Sequence, residues 1–203
     1  VWTLVMLVIK KQGYSKFIIG ITVVCMTFCE GIVADSNSYL FTQAQKFYVE
    51  KMDTVNEAVE YIEDNDKGFY RVEQTYLETR MDPCIYNYNG ISTFSSMAYE
   101  TYSANQYSLG MYGNRVNSYT YNPQTPVYNM MYALKYFIKD SSSLDLSDRY
   151  YSKIYTTTDE KKTPVYENKY YLPIAFEVST TMEDWDNSEG NPFDVQEDWL
   201  NKA

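Results

Sequence analysis

From Phe17 to Ala34 the chain carries no charge except Glu30, and its side chains are overwhelmingly apolar. Eighteen residues wound as an α-helix rise about 27 Å, close to the hydrocarbon thickness of a bilayer. A second apolar run, Val1 to Ile9, stands before it. Between the two lies Lys10-Lys11-Gln12-Gly13-Tyr14-Ser15-Lys16, which holds every cation preceding Asp35. Cationic loops are retained in the cytoplasm, so residues 10–16 are expected inside, with the following helix running outward. The expected organisation is a transmembrane hairpin over 1–34, made of a truncated helix 1–9, a cytoplasmic turn 10–16 and a helix 17–34. An extracytoplasmic domain over 35–203 follows.

A cleaved signal peptide is the rival reading, with Lys10 to Lys16 as its charged leader and Ala34 at the cut. The apolar stretch 1–9 and the lack of an initial Met favour entry into a longer protein in the middle of a helix, and both readings export the rest of the chain. Cys29 does not read as a lipoprotein cysteine, because the bulky Phe28 precedes it. Glu30 lies near the outer end of its helix. An intramembrane carboxylate is a functional candidate, although a position within reach of interfacial water explains it as well.

Past Asp35 the character changes to that of a globular protein. Of 17 basic and 27 acidic residues, 14 and 26 fall here. So anionic a surface repels nucleic acid and anionic headgroups, which excludes nucleic acid as a direct partner. There is no His, which removes the commonest zinc ligand and the usual general base near neutral pH. Cys25 and Cys29 share a helix face within the apolar run and Cys84 stands apart, so neither a disulfide framework nor a metal cluster is expected. No phosphate-binding loop, dinucleotide fingerprint, HExxH or GxSxG occurs, and no cofactor is implied. Glu183-Asp184-Trp185-Asp186 lacks the alternating ligands of a calcium loop and reads as a solvated acidic turn.

Periodicity divides the remainder into helices and strands, giving an α+β class. Asn37 to Met52 reads as helical. Thr54 and Glu57 have capping-box spacing, and Val55, Ala58, Val59 and Ile62 fall at i, i+3, i+4 and i+7. Asn65, Asp66 and Gly68 end that helix. Phe69 to Glu73 reads as a strand with Arg71 and Glu73 on one face and Tyr70 and Val72 on the other. Met81 to Gln124 has little period beyond one short helix near Ala104 to Leu109. Thr125 and Pro126 open a helix whose expected apolar face is Val127, Met130, Met131 and Leu134. A period of two then marks a strand through Tyr136 and Ile138. Ser141 to Asp148 is a polar linker. Tyr150 to Val178 reads as antiparallel strands with turns at Asp159 to Lys162 and at Glu167 to Asn168. Asn191 and Pro192 open a last turn or helix.

One compositional feature points to chemistry: 23 tyrosines, many interleaved with Asn and Ser as in Tyr86-Asn87-Tyr88-Asn89-Gly90. A tyrosine offers a ring face and a hydroxyl, which suits stacking on sugar C–H surfaces while amides bond the hydroxyls. The same residues serve equally as core filler.

The order Phe69-Tyr70-Arg71-Val72-Glu73, Tyr86 to Ser96, Leu109-Gly110, Thr125-Pro126, Leu134 to Ile138, Tyr171-Leu172-Pro173 and Asn191-Pro192-Phe193 resembles the bacterial YfhO-like membrane proteins, over most of 17–203. The resemblance implies part of a GT-C type glycosyltransferase, which takes a sugar from an undecaprenyl-phosphate carrier and attaches it outside the cell to a wall polymer such as lipoteichoic acid. It also implies the bilayer, a lipid-linked sugar and an anionic wall polymer as partners. The catalytic acid of that architecture lies in an early loop between membrane helices, so no catalytic residue is carried over. Arg71, Glu73, Asn89, Ser92, Ser95 and Ser96 match recurring family positions. With Tyr86 and Tyr88 they are the candidate substrate-binding set, with a scaffold role as the competing explanation. A non-enzymatic, membrane-anchored glycan-binding module is the alternative function, and a purely structural ectodomain the third.

Overall fold

The computed structural model describes residues 2–13, 15–40, 45–122, 125–139, 149–187 and 190–203. It has two compact units, Val1–Phe47 and Tyr48–Ala203.

The first unit holds α1 (Trp2–Lys11) and α2 (Lys16–Leu40), and α3 (Gln45–Val49) begins at its end. Over Lys16–Tyr39, α2 is long and apolar enough to cross a membrane, and Phe17, Val24, Phe28 and Val33 are each more than two-thirds exposed. The two threonines of its apolar stretch satisfy their hydroxyls along the helix itself. Thr22 donates to the Ile18 carbonyl (2.9 Å) and Thr27 to that of Val23 (3.0 Å), as an apolar surrounding requires. The helix continues beyond Ala34, so Asp35 lies within it, before its last turn.

The second unit is α+β. Its elements are α4 (Met52–Asn65), β1 (Arg71–Gln74), α5 (Asp82–Ile85), β2 (Thr93–Phe94), α6 (Glu100–Ser108), β3 (Tyr112–Gly113), β4 (Ser118–Thr120), α7 (Pro126–Met131), β5 (Leu134–Ile138), β6 (Tyr151–Thr156), β7 (Pro164–Asn168), a 3-10 turn (Thr180–Asp184) and α8 (Pro192–Lys202). A four-stranded sheet runs β1-β5-β7-β6, and a small antiparallel sheet runs β2-β4-β3. β1 and β5 are parallel, with a bulge after Arg71. β5 with β7 and β7 with β6 are antiparallel.

Each face of the main sheet is covered by a separate apolar cluster. One cluster joins Val55, Ala58, Val59 and Ile62 of α4 to Tyr70, Val72, Tyr136, Ile138 and Val165. The other joins Leu109, Met111, Tyr119, Tyr121 and Tyr128 to Phe137, Tyr151 and Val195. Phe137, Leu134 and Tyr128 are wholly buried, each contributing roughly 1.5–3 kcal/mol by leaving water. The face of α4 read from the sequence is the buried one.

The capping box is not. The helix begins earlier, at Met52, so Thr54 and Glu57 lie inside it and bond across to the β6–β7 turn instead. Thr54 donates to Asp159, and Glu57 Oε1 accepts from the Tyr155 hydroxyl (2.8 Å) and the Thr158 N–H (2.7 Å). At the other end, Asp66 accepts from Gly68 N–H (2.8 Å), Lys135 Nζ (2.7 Å) and the Tyr136 hydroxyl (3.0 Å). That ties the helix terminus to β5, and the Lys135 ammonium also faces the rings of Tyr136 and Tyr171.

Other expectations need correction. Tyr128 and Asn129, not Val127 and Met130, are the buried residues of α7, because its six residues amount to less than two turns and the strand starts at Leu134. Glu167 and Asn168 lie within β7, paired with Tyr136 and with Ser152 and Tyr151. The stretch 81–124, read as a connecting region with one short helix near 104–109, contains that helix as α6, begun earlier at Glu100, together with α5 and the whole β2-β4-β3 sheet. Within 37–52, α2 ends at Leu40 and α3 follows from Gln45; residues 41–44 lie outside the described residues, as does the linker 141–148. The caps at Thr125, whose hydroxyl accepts from Tyr128 N–H (3.1 Å), and at Asn191, whose side chain accepts from Phe193 N–H (3.0 Å), are formed.

Candidate functional site

The residues singled out from the sequence fall into an interior set and an exposed set. Glu73 is fully buried. Its Oε1 accepts the N–H groups of Ile91 (2.5 Å) and Ser92 (2.9 Å), and Ser92 Oγ in turn accepts from Tyr121 N–H (2.8 Å). The carboxyl thus fastens β1 to the loop at 91–92, and Ser92 links that loop to Tyr121. Oε2 has no hydrogen-bond partner. Burial pushes the Glu73 pKa up to about 7, against the downward pull of the Ser92 and Ile91 amides. A carboxyl in that range is chemically capable of proton exchange near neutrality, yet it lines neither of the two grooves beside α6.

Tyr86 and Tyr88 are interior too, 2% and 8% exposed, so neither ring can meet a sugar face. The Tyr86 hydroxyl donates to the Tyr48 carbonyl (3.3 Å) and the Tyr88 hydroxyl accepts from Gln74 Nε2 (3.1 Å). Between them the chain turns through Asn87 at φ 54°, and the exposed Asn89 joins β1 through its carbonyl, which accepts from Val72 N–H (2.9 Å). A side chain at Gly90 would strike Pro83 and Tyr88. Arg71 donates to the Tyr132 carbonyl (2.7 Å). Ser95 N–H donates to the Asn117 carbonyl (3.1 Å) and its hydroxyl accepts from Met97 N–H (3.1 Å). Ser96 is exposed. These residues build the connection between β1 and β2 and do not converge on one cavity.

The open chemistry lies one element further on, around α6. Its inner face is polar and buried: the Tyr128 hydroxyl donates to Gln106 Oε1 (2.6 Å), while Gln106 Nε2 and Ser103 Oγ have no partner. Tyr128 and Tyr132 are held in the neutral form by burial. The outer face borders an open groove of about 680 Å³ lined by Tyr99, Thr101, Tyr102, Ala104, Asn105 and Asn187. Tyr99 is 83% exposed and Tyr102 41%. Tyr102 rests edge-on against Tyr119, with centroids 5.5 Å apart, which fixes its ring. Asn187 Nδ2 donates to Asn105 Oδ1, leaving an Asn105 donor and an Asn187 acceptor for a ligand.

A second groove, about 720 Å³, runs past the end of α6 between Tyr107, Tyr112, Arg115 and Pro192. The rings and amides of both grooves escaped sequence reading, which started the helix at Ala104. Tyr99, Tyr102 and Asn105 stand at i, i+3 and i+6, so the signal was present once the helix is begun at Glu100. No group of three metal-ligating side chains occurs among the described residues.

A family model described as bacterial membrane protein YfhO matches residues 1–203. No curated protein and no solved structure matches.

Proposed function

The chain belongs to the bacterial membrane protein YfhO family, and we propose that it is the accessory, glycan-handling part of a multi-pass cell-membrane glycosyltransferase. In this reading α2 crosses the bilayer, the turn bearing Lys10, Lys11 and Lys16 stays in the cytoplasm, and residues 35–203 lie outside. The enzyme moves a sugar from an undecaprenyl-phosphate carrier to a wall polymer such as lipoteichoic acid. Its catalytic acid is assigned to a membrane loop and to none of the residues described above.

The observation that carries the reading is the groove beside α6. Two accessible tyrosine rings and a pre-paired amide couple supply what a pyranose needs, namely apolar stacking for its C–H face and fixed donors and acceptors for its hydroxyls. Among the described residues the lining contains no carboxylate, which suits holding a glycan rather than cleaving one. That same absence supports a second reading, a membrane-anchored glycan-binding module without transferase activity.

Replacing Tyr99 with Ala, singly and together with Tyr102→Ala, tests the proposal in cells. Sugar incorporation into wall polymer should fall roughly tenfold with membrane yield unchanged. The single variant guards against a folding defect, since Tyr99 is largely exposed while Tyr102 packs on Tyr119. Undiminished incorporation in both variants refutes the assignment. Glycan binding that persists in a protein with no transferase activity selects the module.

A further inference from the structure

After β7 the chain runs through residues 170–178 without helix or strand, and Glu177 is the only charge on that stretch. Tyr170 and Ile174 are each more than half exposed, and Val178 is exposed as well. Single apolar residues on a surface are ordinary, whereas a run of them marks a place where something docks. Among the described residues no main-chain hydrogen bond involves 171–178.

The ribbon is nonetheless fixed from behind. Lys135, paired with Asp66, lies 4.6 Å from the centroid of the Tyr171 ring. Phe176 meets Trp199 of α8 edge-on, with centroids 6.1 Å apart. Just past the ribbon, Ser179 N–H donates to the Ala203 carbonyl (3.1 Å). These contacts use Tyr171 and Phe176 and leave Tyr170, Ile174 and Val178 to the outside.

The chemistry of the ribbon and the length of its tether select the occupant. Pro173 removes a donor from the middle of the ribbon, which spoils it as a template for a partner strand. Seven residues separate Leu40, the end of α2, from Tyr48, where the second unit begins. Fully extended they reach about 28 Å at most, so a bilayer crossed by α2 is always close to this unit. The excess of carboxylates past Asp35 disfavours an electrostatic hold on anionic headgroups. Apolar burial and interfacial tyrosine remain as the attraction. The unpaired main chain sets the depth, since its N–H and C=O groups need water and are excluded from hydrocarbon.

We infer that residues 170–178 seat in the headgroup layer of the outer leaflet, with Tyr170, Ile174 and Val178 as the contacting side chains. The inference rests on the reading in which α2 spans the bilayer and residues 35–203 lie outside.

The test puts a bimane fluorophore on single cysteines of the purified protein in phosphatidylcholine nanodiscs, with doxyl-labelled lipid or aqueous iodide as quencher. Cys25, Cys29 and Cys84 are changed to Ser and combined with Ile174→Cys or, on the exposed side of α4, with Glu63→Cys. A further protein keeps Cys25 alone. The label at position 174 should be quenched by the lipid and shielded from iodide, the label at 63 should behave in reverse, and the label on Cys25 should be quenched by the lipid. Ile174→Asp should lower the lipid quenching of a label on Val178→Cys. A label at 174 that is open to iodide and untouched by the lipid overturns the seat, while quenching at Cys25 leaves the span standing. Loss of quenching at Cys25 refutes the span and the seat together. Equal lipid quenching at 63 and 174 would mark unspecific contact, and shielding of 174 from both quenchers would mark a covering protein; each overturns the seat.

Discussion

Glu73 offers the sharpest test of the interior. A carboxyl that ionises near 4.5 in the unfolded chain and near 7 in the folded one carries a penalty of roughly 3 kcal/mol whenever it is charged in both states. Below pH 4.5 both states are protonated and the penalty is absent. It grows as pH rises from 4.5 to 7 and is complete above that. Glu73→Gln keeps an oxygen for the Ile91 and Ser92 amides and abolishes the titration, but places an amide nitrogen where Oε2 finds no partner, costing about 1 kcal/mol at every pH. The variant should therefore be more stable than the parent by about 2 kcal/mol at pH 8, and no more stable than it at pH 4.5. Denaturant unfolding followed by tryptophan fluorescence at the two pH values measures this. Every other titrating group is common to both proteins and cancels. Stability–pH curves that run parallel for parent and variant would refute the reasoning.

Asp66 predicts the opposite dependence. Its hydrogen bond from Lys135 holds its pKa below the usual 3.8, so the stability it supplies is present above 3.8 and is lost as pH falls through the lowered value. Asp66→Asn should cost about 1–2 kcal/mol at pH 7, with the gap closing in acid; a gap independent of pH in the same unfolding assay would contradict the pairing. Orientation is open to a chemical check. With Cys25 and Cys29 changed to Ser, the exposed Cys84 should react with a membrane-impermeant maleimide on intact cells. Reaction only after lysis would put residues 35–203 on the cytoplasmic side.

Local signals were readable and distant ones were not. The apolar stripe of α4 and the caps at Thr125 and Asn191 depend on residues within one or two turns, and all three are formed. The hairpin turn at Asp159 to Lys162 is equally local. The supposed capping box at Thr54 failed for a tertiary reason, since Asp159 and Thr158 claim the two side chains from about a hundred residues away. The β2-β4-β3 sheet could not be read at all, because strands of two or three residues are shorter than any alternation. The tyrosines divide in the same way: Tyr86 and Tyr88 share the Tyr/Asn texture of an exposed surface, yet packing against α4, Val72 and Tyr136 holds them inside, while Tyr99 and Tyr102 stay accessible.

The parallel pairing of β1 with β5 has a cost in time. Between Gln74 and Leu134 lie roughly sixty residues, so at a synthesis rate of about 5–20 residues per second β1 waits some 3–12 seconds for its partner. Throughout that delay Tyr70 and Val72 have α4 on one side and a bare strand edge on the other. Nascent chains halted before Leu134 would hold an adhesive ribbon with nothing to close it, which makes the interval from β1 to β5 the stretch where this domain most needs protection from its neighbours.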